Sequence, residues 1–244
     1  MWATWKHHVT AVGILLAAGL WTVLIPPRPG DTRPFPFLMP EQAPGALGTR
    51  FFGYGALVLL GLALAIGPLA RLRPGWFARW IPYRRAIGIW SALSGAVHLL
   101  FVLQMLTFDF YRQMYGPSWY HLFVRTMTVV DSNGESFTRY FLRADVTSWV
   151  AWTGLLALLL LLVVAAVSND WAQKLLGQSA WKLVQQWSYS AFLFVALHLL
   201  LMKYGAKLKV SPPLTRWALW LLLAVALLQA AGFVYTVWRR ERRR

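Results

Sequence analysis

Long apolar stretches alternate with shorter polar segments along this chain. Six stretches lack Asp, Glu, Lys and Arg and are long enough, or nearly so, to cross about 30 Å of hydrocarbon at roughly 1.5 Å per residue. Helices satisfy their backbone hydrogen bonds internally, so these stretches predict an all-α integral membrane bundle. We expect it to form a single transmembrane domain over residues 1–244. The six predicted spans lie near residues 9–25, 51–70, 86–106, 149–167, 183–202 and 217–238.

The first stretch also has features of a secretory signal peptide, because it follows Lys6 and two histidines. We expect it to remain as a span, since Pro26, Pro27 and Arg28 follow it where a small-residue cleavage site would stand. The small residues Ala17–Gly19 keep cleavage open as an alternative.

The composition supports a membrane protein. Of 244 residues, 58% are hydrophobic and 13% charged, with a mean hydropathy of +0.50, which is more apolar than a soluble domain of this size can bury. The net charge of +16 lies almost wholly between or after the apolar stretches, where basic residues contact lipid headgroups. We therefore expect membrane lipid as a partner and no nucleic acid.

The absence of cysteine limits the cross-links, metal sites and cofactor attachments that this chain can form. It excludes disulfides, thiolate metal sites, iron–sulfur clusters and covalent c-type haem, so any metal or haem must be held by His, Met or carboxylate. Motifs for hydrolysis, zinc binding and phosphate binding are absent from the sequence. The arginine clusters at Arg71–Arg85 and Arg239–Arg244 favour a cytoplasmic location for both termini.

Two outer loops are predicted to be long. Pro26–Arg50 contains seven prolines and three glycines and indicates an extended connection. In Asp109–Asp145, a turn signal at 131–134 separates two segments that favour strands, 121–130 and 136–142. A small β-hairpin and an interfacial segment with its aromatic side chains at headgroup level are both open here.

Two histidines lie deep in predicted spans, where an ionisable side chain is costly. His98 follows Arg85 by 13 residues and His198 follows Lys182 by 16, which places them about 20 and 24 Å from the inner face. The pair can therefore face each other in the outer half of the bilayer. Two neutral imidazoles on neighbouring helices are the ligand set of a low-spin b-type haem.

Small residues surround both histidines along their helices. Ser91 and Gly95 lie on the face that leads to His98, and Ala191 has the same relation to His198. Such residues leave room for a flat macrocycle, and we take these three as candidate cofactor-binding positions. The alternative is ordinary helix packing, with each histidine donating a hydrogen bond to a neighbouring helix. Spacing alone leaves both interpretations open.

Segments around both histidines resemble the ferric reductase-like transmembrane family. The first half is similar to its "RR-x-x-G-x-W…LLH-L" signature and the second to its "TS-x-D…LG…W-x-x-L…LLH" signature, in order over roughly residues 50–205. The segments that carry the resemblance are Pro82–Trp90, Ala96–Leu100, Ala166–Trp171, Leu176–Gly177, Trp181–Leu183 and Ala196–His198. Within the family, the chain looks most like the haem-binding membrane subunits of periplasmic methionine sulfoxide reductase systems.

The resemblance implies a six-helix b-type cytochrome of the bacterial inner membrane, with His98 and His198 as axial metal ligands of the outer haem. Two-haem relatives place a further histidine where this chain has Gln185, so we expect one haem b per chain. We also expect no flavin or nicotinamide domain. The electrons would then come either from a quinone in its quinol form or from the flavin of a separate flavoprotein.

These observations lead to two hypotheses about function. The first is an oxidoreductase-type electron-transfer subunit that delivers electrons to an outer-face acceptor, such as a periplasmic or membrane redox partner protein docked on Asp109–Asp145. The second is a haem-free structural or docking subunit of a larger membrane complex. A visible absorption spectrum of the purified protein discriminates between them.

Overall fold

The computed structural model describes residues 2–24, 44–108, 123–130, 133, 135–142, 144–205 and 212–242. Within them the chain forms seven α-helices and one small antiparallel sheet. In chain order the elements are α1 (Trp2–Leu24), α2 (Pro44–Leu72), the short α3 (Pro74–Phe77) with a 3₁₀ turn (Ala78–Trp80), α4 (Tyr83–Phe108), β1 (Val124–Val130), β2 (Ser136–Leu142), α5 (Val146–Ala166), α6 (Asp170–Leu200) with a π-helical extension (Leu201–Gly205), and α7 (Pro212–Glu241).

Five helices of the described chain are long and apolar enough to cross a membrane. Their candidate spans lie within α2, α4, α5, α6 and α7, and match five of the six predicted stretches. Helix α1 has 23 residues, but its first turns carry Lys6, His7 and His8, and it is not one of the five. The predicted helical, multi-pass architecture is therefore confirmed at this level.

Helix α2 begins earlier than predicted. The sequence indicated an extended connection up to Arg50, yet the helix starts at Pro44, so this prediction was wrong for residues 44–50. Proline is tolerated in the first turn of a helix, where its missing N–H has no intrahelical partner. The preceding residues, 25–43, lie outside the described part of the chain.

Helix α6 also starts before its predicted span at 183. Asn169 caps it, because its side-chain oxygen accepts a hydrogen bond from the Ala172 N–H at 2.7 Å. Gly177, at φ 72° and ψ 160°, then interrupts the helix with a left-handed conformation that favours glycine. A short leading segment, 170–176, therefore precedes the apolar part of α6.

Of the two alternatives left open for the second long loop, the structure confirms the hairpin. Strand β1 pairs antiparallel with β2, with Thr126 opposite Tyr140 and Val130 opposite Ser136. Its first strand begins at Val124, whereas His121 and Leu122 lie outside the described residues. Asp145 then caps α5 through the Ser148 N–H at 3.1 Å, so the hairpin leads directly into a candidate span.

Helix α2 occupies the centre of the bundle. In its apolar window 61% of the residues are buried, against 17–28% in the other four candidate spans. One core cluster joins α2 to α1 and α4, and another joins it to α4, α5, α6 and α7. Consequently α2 offers a packing surface to helices from both halves of the chain.

Candidate functional site

Both intramembrane histidines lie at the same end of the bundle. His98 is ten residues before the end of α4, and His198 is two residues before the end of α6. Each packs against the beginning of an antiparallel neighbour, α2 for His98 and α5 for His198. The two halves of the chain therefore place an imidazole at a comparable position by the same arrangement of helices.

Each imidazole makes the same hydrogen bond. His98 Nδ1 lies 2.9 Å from the Thr49 carbonyl oxygen, and His198 Nδ1 lies 2.8 Å from the Val150 carbonyl oxygen. A carbonyl oxygen only accepts, so Nδ1 carries the proton and donates in both rings. In the neutral ring the lone pair is then on Nε2. The carbonyl bonds thus fix the tautomer in which Nε2 can bind a metal.

A glycine lies beside each ring. A Cβ atom added to Gly53 would come 2.7 Å from His98 Nδ1, and one added to Gly154 would come 2.9 Å from His198 Nδ1. Each glycine follows the accepting carbonyl, of Thr49 or Val150, by four residues, one helical turn. The absence of a side chain lets the imidazole approach the helix backbone closely enough to form its hydrogen bond.

Sequence reasoning missed these two glycines because it considered only the helices that carry the histidines. A signal was available in the chain. Gly53 and Gly154 each stand in the first six residues of the apolar stretch that precedes a histidine helix. Which helix faces a histidine is a tertiary property, however, and hydropathy does not report it.

Two serines position α4 on α2. Ser91 Oγ donates to the Ala56 carbonyl at 2.9 Å, and Ser94 Oγ donates to the Phe52 carbonyl at 2.9 Å. With the bond from His98, they form a ladder of three side-chain hydrogen bonds along antiparallel helices. Interhelical polar contacts of this kind align neighbouring helices in apolar surroundings. The ladder sets the depth of His98 along α2.

The other small residues named from the sequence lie in helix–helix contacts. A Cβ on Gly95 would be 3.2 Å from Leu158 Cδ1 of α5. Ala191 is fully buried in a cluster with Ala92 and Leu161. Ser91 is also fully buried, with its hydroxyl bonded to α2. Their role in lining a cofactor stays a prediction, and the packing described here accounts for their small size.

The chemistry of the donors fits haem. Both histidines are partly buried, and each keeps one ring nitrogen that is not used in the bond to a carbonyl. Within the described residues, no three or more His, Cys, Asp or Glu side chains form a metal-binding group. Structural zinc takes four protein ligands and catalytic zinc usually three, whereas haem supplies four nitrogens itself and needs only axial ligands. Two Nε2 donors match that requirement.

The opposite end of the bundle has a polar cluster at the α5–α6 turn. Gln185 Nε2 donates to Ser168 Oγ at 3.1 Å. The Arg85 guanidinium donates to the Ser168 carbonyl and forms an ion pair with Asp170 at 2.6 Å. Trp181 Nε1 donates to the Val167 carbonyl at 3.0 Å. Gln185 therefore binds the end of α5.

The remaining described histidines contact α4 near its start. Trp90 Nε1 donates to His8 Nδ1 at 3.2 Å, and the rings of His7 and Tyr83 are 4.2 Å apart between centroids. These contacts hold the start of α1 against α4. His7 and His8 therefore belong to a separate region of the bundle from His98 and His198.

The described fold and site are those of a helical protein with several candidate membrane spans and two symmetrically held histidines. In a comparison with models of known protein families, the sequence matches none.

Proposed function

We propose that this protein is a membrane electron-transfer subunit that holds one b-type haem between His98 and His198. The observation that carries the proposal is the repeated Nδ1–carbonyl bond, which leaves an Nε2 donor on each ring. Ordinary helix packing also predicts such a bond for each histidine taken singly, so the proposal rests on its repetition at both rings. Two imidazoles with the same tautomer at the same end of the bundle would serve as the two protein ligands of one haem.

In this proposal, the haem supplies a one-electron redox centre within the membrane. The residues of the chain orient and enclose it. The carbonyls of Thr49 and Val150 hold the two rings in place and increase their basicity as ligands. The apolar side chains of α2, α4, α5 and α6 exclude water from the site. Electrons enter from quinol or a separate flavoprotein and leave to an outer-face redox partner, for which the β1–β2 hairpin is the docking surface.

We further propose that α1 is a sixth span, so that both termini lie in the cytoplasm. At about 1.5 Å per residue its 23 residues extend to roughly 35 Å, which is sufficient to cross the bilayer. The basic residues at the ends of α2 and α7 then lie on the inner face, in agreement with the distribution expected of cytoplasmic loops. The two histidines consequently lie in the outer half.

This topology predicts the labelling of three single-cysteine variants, which are straightforward because the chain has no native cysteine. In intact cells, a membrane-impermeant thiol reagent should label Asn133→Cys, in the hairpin turn. It should label Trp5→Cys and Arg242→Cys only after permeabilisation. Labelling of Trp5→Cys in intact cells would show that α1 does not cross, and labelling of Arg242→Cys would reverse the orientation.

The proposal also predicts one haem per chain, reducible by quinol. We expect a haem-to-protein ratio near one by pyridine haemochrome analysis, because the Gln185 amide is hydrogen-bonded to the end of α5 and supplies no imidazole. A water-soluble quinol added to the purified protein should produce the reduced spectrum of a six-coordinate low-spin b haem. A ratio near two would contradict the single-site assignment, and a colourless protein would favour the haem-free structural subunit.

A further inference from the structure

A cleft opens at the other end of the bundle from the histidine pair, between the ends of α2 and α7. It has a volume of about 280 Å³. Three arginines line it, Arg71 from α2 and Arg239 and Arg240 from α7, together with Pro74, Tyr235 and Thr236. No acidic side chain is among its lining residues. The cleft is therefore a concave surface with strongly positive charge.

The three guanidiniums have no hydrogen-bond or ion-pair partner within the described part of the chain. Arg85, by contrast, is neutralised by Asp170 at the α5–α6 turn. An arginine in the last turn of a helix offsets the partial negative charge of the exposed carbonyls. That effect does not require three guanidiniums around one cleft. Each presents five N–H donors in a planar fork, a geometry that matches phosphate.

The position of the cleft indicates which phosphate-bearing ligand it would meet. It lies where two candidate spans end, Leu47–Leu72 and Thr215–Glu241, and hence at the level of lipid headgroups. Below it, Gly232 allows close contact between α7 and α2, since an added Cβ would be 2.8 Å from Pro68 Cβ. Phe233, which is 68% exposed, and Val237, 39% exposed, provide an apolar surface beside the cleft on α7.

We propose that this cleft binds the phosphate headgroup of an anionic phospholipid, with the acyl chains lying along the exposed apolar side of α7. Basic pockets between membrane helices are known to recognise such headgroups. The site is independent of haem, so the electron-transfer proposal and this one can fail separately.

The test is native mass spectrometry of the detergent-solubilised protein titrated with phosphatidylglycerol, with phosphatidylcholine of the same acyl chains as the comparison. The cleft variant is Arg71→Gln/Arg239→Gln. The control variant, Arg79→Gln/Arg242→Gln, removes the same charge from exposed positions that do not line the cleft. Because charge-assisted hydrogen bonds are lost, the cleft variant should bind phosphatidylglycerol at least about tenfold more weakly than wild type. The control should bind as wild type does.

Equal weakening in both double variants would overturn the proposal, since it would show non-specific attraction to charge. Inorganic phosphate at the same concentration should not displace bound phosphatidylglycerol. Displacement would identify a soluble anion as the ligand and would overturn the proposal. The variant Arg71→Lys/Arg239→Lys keeps the charge but loses the planar fork, so its affinity should fall by a smaller factor. This variant decides the outcome if the glutamine variant fails to fold, and unchanged binding in the lysine variant then overturns the proposal.

Discussion

Replacement of either His98 or His198 by alanine should reduce the bound haem to background and abolish the b-type spectrum. Each histidine supplies one of the two Nε2 donors, and the chain has no cysteine to retain the cofactor covalently. The measurement is the reduced-minus-oxidised visible spectrum of purified protein at equal concentration. Size-exclusion elution of each variant reports whether the bundle remains intact.

Two matched controls accompany this experiment. His8→Ala removes an imidazole that contacts Trp90 near the start of α4, and His121→Ala removes one from the segment that the sequence predicts as an outer loop. Both variants should keep a wild-type spectrum. Full haem occupancy in His98→Ala or in His198→Ala would refute the assignment of axial ligands, whatever the behaviour of the controls.

The second large effect is expected at the glycines beside the rings. In Gly53→Ala the new Cβ would lie 2.7 Å from His98 Nδ1, and in Gly154→Ala 2.9 Å from His198 Nδ1, so each imidazole must move away from its accepting carbonyl. Loss of an outer-shell partner of a metal-ligating histidine typically weakens metal binding by about 10–100-fold. We expect haem retention to fall by that factor in each variant.

Gly88 provides the matched control for the glycine variants. It lies on α4 below His98, and a Cβ added there meets nothing within 4 Å. Gly88→Ala should therefore keep the wild-type haem content and thermal stability, whereas overpacking at Gly53 or Gly154 costs about 1–3 kcal/mol of stability. Wild-type haem retention in both Gly53→Ala and Gly154→Ala would show that the close contact between ring and backbone does not support the site.

Several features of this protein follow from local properties of its sequence. In lipid every backbone group must be hydrogen-bonded within the protein, so an apolar stretch of sufficient length has few alternatives to a helix. The hairpin was predictable for a local reason as well, because β-branched and aromatic residues flank a turn signal over a few positions. The cost of burying an ionisable group indicated His98 and His198 before any contact was known.

The start of α2 and the interruption of α6 each depend on a single residue, whose effect on the helix is decided by its surroundings. The proline-rich segment before Arg50 indicated an extended chain, but Pro44 fits the first turn of α2, where no N–H is required. Gly177 interrupts α6 with a positive φ, although an isolated glycine is also tolerated within a helix. Composition does not distinguish these cases.

The sequence by itself determined the membrane class of this protein, most of its spans and the two histidines deep in those spans, because each follows from hydropathy. It left the hairpin as one of two alternatives. Only the tertiary structure decided what the histidines touch. The bonds from His98 to Thr49 and from His198 to Val150 join residues 49 and 48 positions apart. Such pairs arise from the choice of neighbouring helix and its rotation. In apolar surroundings that choice is set by close packing at glycines and by side-chain hydrogen bonds to carbonyls, not by hydrophobicity.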